Sequence, residues 1–144
     1  MKRIILILIA GIAVSQAWAA TGTSETSPAL DVAAAKSLAF GGVGVAGIMS
    51  EGERNLRAAL AQPNASQQLQ AALAHATPAG KLYILVGLRR CDRSAYQKLF
   101  DTMERDNGDV EVVRGCMVSK QPFHQALSQV QEGRFDDYLS RPPR

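Results

Sequence analysis

The chain has little of what enzymes and nucleic-acid binders most often rely on. Its 144 residues include two histidines, His75 and His124, and a single tryptophan, Trp18. There is no H-E-x-x-H, and neither histidine has carboxylates at ligand spacing, so no metal is expected. No G-x-S-x-G is present, and the neighbouring Asp136 and Asp137 suit a solvated turn better than an acid/base pair. No catalytic residue is therefore assigned, and binding is favoured over catalysis, with an enzyme kept as an alternative. An excess of one charge is also missing. The 16 Lys+Arg stand against 13 Asp+Glu, and residues 1–19 hold Lys2 and Arg3 but no acid, which leaves 14 against 13 in the remainder. A near-neutral body gives no argument for nucleic acid or for an anionic membrane. Long apolar runs are absent too. Ile4 to Val14 is the longest candidate, and a membrane span needs roughly twenty residues.

That short run has a different meaning. Met1-Lys2-Arg3 is a basic start, Ile4–Val14 an apolar middle, and Ala17-x-Ala19 a small-x-small cleavage signal. Residues 1–19 read as a secretory signal peptide, and the protein is expected in the periplasm without a transmembrane anchor. Residues 20–30, "ATGTSETSPAL", bury too little apolar surface to offset ordering entropy and read as a disordered arm. Residues 31–140 form a single helical domain on this reading, and 141–144 a loose tail. "DVAAAKSLAF" (31–40) fits either a turn of helix or the approach to an extended segment.

Helix starts dominate the middle of the chain. Ser50 and Glu53 make a capping box before Leu56, Ala59 and Leu60. Asn64 opens a second helix, and Thr77-Pro78 a third, where proline suits the first turn. The third, "PAGKLYILVGLRR", is apolar around most of its circumference and is placed centrally, with Leu82, Tyr83, Leu85 and Val86 inside. Asp92 opens a fourth, whose stripe is Tyr96, Leu99, Phe100 and Met103. "VEVVRGCMVSK" is β-branched and reads as extended. Pro122 starts another helix that stops at Gly133, and "RFDDYL" adds a last turn. The expected fold is mainly α: a compact helical bundle or short stacked helical hairpins, with room for a small two-stranded β-ribbon.

Gly42, Gly44 and Gly47 spell G-x-G-x-x-G, the spacing of a dinucleotide loop. The helix begins after these glycines at Ser50, and no acidic residue stands about twenty positions on. No cofactor is expected. The glycines are read as serving the backbone, with Val43, Val45 and Ile48 entering the core and residues 41–48 pairing with 110–118.

Cys91 and Cys116 both lie beyond the leader, so an exported chain is expected to join them in one disulfide. A loop of that length gives about 3.5 kcal/mol in the chain-entropy picture. Arg89, Arg90 and Arg93 form the one local basic cluster, a candidate patch for an anion or a partner protein. Three phrases, "FGGVGVAGIMSEGE", "TPAGKLY" and "RGC", together resemble a family of small exported bacterial proteins with no assigned function, over roughly Phe40 to Tyr138. The resemblance implies no activity and no catalytic residues. The functional expectation is an envelope interaction module that binds a protein or an anionic envelope component. An immunity-type toxin neutraliser is one variety. The alternatives are an enzyme acting on envelope polymers and a stress-related or chaperone-like accessory.

Overall fold

The computed structural model describes residues 27–142. The leader, residues 20–26 of the arm and the last two tail residues lie outside that range. The first helix, α1 (Pro28–Ala33), begins inside the stretch read from sequence as the arm, with Ala29 and Val32 buried.

The remaining elements follow in order: β1 (Leu38–Val43), β2 (Ile48–Met49), α2 (Glu51–Leu60), α3 (Ala65–Ala72) with a 3-10 turn at Leu73–His75, α4 (Pro78–Cys91), α5 (Arg93–Met103), β3 (Asp109–Gly115), β4 (Met117–Pro122), α6 (Phe123–Gln131) and α7 (Asp136–Ser140). Three of the expected caps are made. The Ser50 hydroxyl accepts the Glu53 N–H at 3.1 Å, Thr77 that of Gly80 at 2.9 Å, and Asp92 that of Ala95 at 3.0 Å. Asn64 precedes α3 but makes no side-chain cap.

The expectation of a mainly helical bundle is overturned. Helix accounts for 57% of the described residues, but the strands make one four-stranded mixed sheet rather than a ribbon, so the fold is α+β. The strand order is β2-β1-β3-β4. The central pair, β1 and β3, is parallel, with Leu38 opposite Val112 and Val43 opposite Gly115; both flanking pairs are antiparallel. The expected pairing of the glycine stretch with 110–118 is therefore present, including Gly44 N–H to the Gly115 carbonyl at 3.0 Å. It sits inside a sheet because the extended stretch folds back on itself after Gly115 and adds β4. A parallel partner for β1 then needs a long crossover, and α2 to α5 supply it.

α4 is the centre of the core. Leu82 through Leu88 are all buried, which explains why its sequence shows no polar stripe. Val110 and Val112 of β3 and Leu38 of β1 complete the apolar layer under it. α7 closes one side by placing Phe135 and Tyr138 against Phe40, with ring centroids 4.8 and 6.0 Å away.

Candidate functional site

The most elaborate polar cluster lies along β1. β2 is only two residues long and pairs with Gly42 and Val43, so the upstream edge of β1 has no strand beside it. Side chains take that place. The Tyr83 hydroxyl accepts the Ala39 N–H at 2.9 Å and lies 2.6 Å from the Ala39 carbonyl, which also accepts from Ser50 Oγ at 2.6 Å. The Glu53 carboxylate accepts the Gly41 N–H at 2.8 Å. Glu53 thus caps a strand edge with its side chain and its own helix with its backbone, instead of reaching back to Ser50 as a closed capping box would. Burial pushes the Tyr83 phenol up, and the nearby Glu53 charge adds to the rise against the hydrogen bonds from Ser50 and Ala39.

Arg57 completes the cluster. Its Nε and Nη2 donate to Glu53 Oε1 at 3.1 and 2.8 Å, and it also holds the carbonyls of Tyr138 and Arg141. Beside it opens a shallow cleft of about 220 Å³, lined in part by Gly41, Met49, Arg57, Tyr138 and Arg141. Glu53 is 2% exposed and both its oxygens are occupied. The arrangement binds the C-terminal helix to α2 and seals a sheet edge; it leaves no free carboxylate for proton transfer.

A wider depression of about 620 Å³ lies at the α2–α3 corner, where Gln62, Ser66, Gln70, Cys91 and Asp92 meet. A relay of hydrogen bonds runs from Gln70 to Ser66 (2.9 Å) and from Ser66 to Asp92 (2.6 Å). The backbone N–H of Ala95 and the Ser66 hydroxyl hold the Asp92 carboxyl below the usual carboxylate range. Partial burial and the adjacent Asp92 charge push the Cys91 thiol up, which suppresses the thiolate a nucleophile needs.

The structure separates the two cysteines. Cys91 ends α4 at that corner, whereas Cys116 sits in the turn between β3 and β4; both are free and exposed. The expected Cys91–Cys116 disulfide is not present, because the hairpin carries Cys116 to the tip of the sheet instead of back to the helices. Two of the arginines stay together, since the guanidinium groups of Arg89 and Arg93 lie 5.7 and 5.8 Å from the same Tyr96 ring centroid. Arg89 Nε donates to Asp136 Oδ2 at 2.9 Å and its Nη1 to the Gln131 carbonyl at 3.0 Å. Arg90 reaches Ser140 at 3.2 Å, and Arg93 lies over the Tyr96 ring. Arg89 is thus a strut for α7, and Arg93 alone of the three makes no hydrogen bond to a side chain among the described residues. His75 and His124 are exposed on separate elements, and no group of three or more His, Cys, Asp or Glu among the described residues could hold a metal. No helix among them is long and apolar enough to cross a membrane.

The turns of the two hairpins form the other candidate surface. Val43, Val45 and Ile48 were expected in the core, and they are not there. Val45 is 99% exposed and Ile48 60%, while Val43 is half-buried. Gly44 and Gly47 take positive φ in the turn, and a Cβ on Gly42 would meet the Gly47 carbonyl oxygen at 2.8 Å, so the three motif glycines build a tight β-turn. That turn projects past the end of the core and carries its apolar residues outward. The neighbouring hairpin does the same with Met117 (76% exposed) and Val118 (62%). Four of the five exposed large apolar side chains among the described residues thus gather at one end of the sheet.

Sheet alternation extends the patch. Val110 and Val112 face the helices, so Glu111 and Val113 point the other way, together with their cross-strand partners Lys120 and Val118. Val43 and Ile48 pair with each other, but the register of β1 against β3 shifts between Ala39 and Val43, so alternation does not extend from Val113 to them. Along β3 and β4 this face runs from Asp109 and the Glu111–Lys120 pair at the base to Val113 and Val118 toward the tip. Sequence reasoning missed it because β-branched residues beside glycine were assigned to the core; the signal that was available was the Gly115 turn, which splits the extended stretch into a hairpin. Comparison with protein-family models, with curated proteins and with solved structures returned no match.

Proposed function

We propose that this is an exported binding module whose docking surface is the open face of the sheet and the two hairpin turns beside it. The reading rests on one observation: Val45, Ile48, Met117 and Val118 are all more than half exposed and lie at the same end of one sheet. Clustered exposed apolar surface of this kind marks sites of protein–protein contact. The polar clusters support the same reading from the other side. Glu53, Arg57 and Arg89 are all engaged in holding elements together, and Cys91 is a weakened nucleophile. The partner class is a protein met in the periplasm, recognised through apolar contact with a polar rim.

The test is crosslinking in cells that express the full chain with a C-terminal tag, beside the double variant Ile48→Glu, Val118→Glu. The wild-type chain is expected to give discrete adducts that the variant loses while its periplasmic level stays the same. Identical adduct patterns from both chains would refute the assignment of this surface.

A further inference from the structure

We infer that β4 receives an extended segment of the partner protein as a fifth strand of the sheet, with an acidic side chain of that segment set against Lys120. The inference rests on the docking surface proposed above and names the part of the partner that is recognised.

Backbone geometry is the first reason. The Gly115 carbonyl accepts from Gly44 N–H on the β1 side. Backbone groups alternate sides along a strand, so Arg114, Val112 and Val110 turn theirs toward β4 and meet Met117, Ser119 and Gln121. The Ser119 hydroxyl, 3.5 Å from the Val112 carbonyl, sits in the same row. Val118 and Lys120 therefore turn their N–H and C=O groups away from β3. β4 is the last strand of the sheet, and these four groups have no hydrogen-bond partner among the described residues. The opposite edge is closed. β2 pairs with Gly42 and Val43, and the side chains of Tyr83, Ser50 and Glu53 take backbone groups of Ala39 and Gly41. A row of outward N–H and C=O groups at strand spacing is the template that another extended chain satisfies.

The side chains of β4 say which chain fits. Val118 and Lys120 are both exposed and share one face of the edge, and Pro122 ends the row because it has no N–H. Lys120 is the one charge on β4 and joins no ion pair among the described residues. On an added strand, the residue beside Lys120 lies about 5 Å from it. The same residue lies about 10 Å from Glu111, which faces Lys120 from β3, and about 12 Å from Asp109. With a screening length of about 8 Å, the attraction of an acid to Lys120 is about twice the summed repulsion from those two carboxylates. An apolar residue two positions along the segment then meets Val118. A second copy of β4 brings no acid in any register, because Met117–Pro122 contains none. Lysine on an edge guards against such self-pairing.

Amide hydrogen exchange, read by NMR on the protein recovered from the periplasm, tests this. In the chain alone, the Val118 and Lys120 amides are expected to exchange about tenfold faster than those of Met117, Ser119 and Gln121. Equal protection of the two sets overturns the inference, because the edge is then already covered. The probe is a capped seven-residue peptide of threonines with valine and glutamate two positions apart. At millimolar concentration it is expected to slow the outward amides at least about threefold, and the same peptide with lysine for glutamate is expected to have no effect. Lys120→Glu is expected to reverse that preference. Protection by both peptides alike, or by neither, overturns the inference. Crosslinking separates this outcome from failure of the docking surface itself. Lys120→Pro removes an outward N–H and leaves the ladder to β3 whole, so it is expected to lose adducts that Lys120→Ala keeps in part, with unchanged far-ultraviolet circular dichroism as the control for folding. If Ile48→Glu, Val118→Glu removes the adducts and Lys120→Pro does not, the docking surface stands and strand addition is overturned. If neither variant changes them, both are overturned.

Discussion

Tyr83 is buried in the middle of α4 and serves both backbone groups of Ala39. Tyr83→Phe keeps the ring and strands the Ala39 N–H, so a loss of about 1–3 kcal/mol is expected in urea unfolding. Its raised pKa also has a sign. The unfolded chain releases the phenolic proton first, so the contribution is complete below the unfolded value of about 10 and is lost as pH rises through the folded one. The wild-type chain should therefore lose more stability above that pH than Tyr83→Phe does. Asp92 acts at the other end of the scale. Its carboxyl is held down by the Ala95 N–H and by Ser66, so its contribution is present above the unfolded value and disappears as pH falls through the folded one. Asp92→Asn retains the cap and should flatten the acid limb of a melting-temperature profile; Asp92→Ala should lower melting at neutral pH as well. The Asp92 cap was legible in the sequence. The role of Tyr83 was not, since the aromatic pattern marks it as buried and says nothing about which backbone groups its hydroxyl meets. Two free thiols per chain are expected in titration of the denatured, unreduced protein, and Cys91 should alkylate more slowly than free cysteine because its thiol is pushed up.

Among the elements, the helices from α2 onward were readable, whereas α1 and the sheet were not. Ser50, Thr77 with Pro78, and Asp92 signal helix starts through contacts within four residues, and each signal holds in the structure. β1 has no such local signature. Glycine interrupts it, its partner β3 lies beyond four intervening helices, and most of its other edge is satisfied by side chains from α2 and α4. β3 and β4 were visible as extended chain, but only pairing shows that they are two strands. Gly80 shows how closely the elements approach. A Cβ there would lie 2.2 Å from the Ala33 carbonyl oxygen, so α1 and α4 touch backbone to backbone. Gly80→Ala is expected to cost about 2 kcal/mol or more, because a carbonyl cannot swing aside as a side chain can. An unchanged urea midpoint would show that α1 does not pack there.

For the molecule as a whole, the outer sheet face and the turn tips are the parts that the core does not use. Ile48→Ser and Val118→Ser are therefore expected to leave the melting temperature of the isolated chain nearly unchanged, within about 0.5 kcal/mol of stability, while reducing association. A large fall in melting temperature at low protein concentration would mean that these residues belong to a core. Export has its own readout. Trp18 is the sole tryptophan and lies in the expected leader, so protein recovered from the periplasm should fluoresce with tyrosine character only. Tryptophan emission from that fraction would show that the leader had been kept.

The sequence by itself determined where α2, α4 and α5 begin, that α4 is central, and that the glycine stretch shapes the backbone. Each of these depends on residues close in the chain or on a single segment's apolar circumference. The tertiary structure alone decided that Ala39 lies beside Val113, that Arg89 braces α7, that the cysteines stay apart, and that Val45 and Ile48 face outward. The physical reason is that burial is a property of the assembled surface. Once α4, α6 and one face of the sheet have filled the core, Val45, Ile48, Met117 and Val118 stay exposed among the described residues.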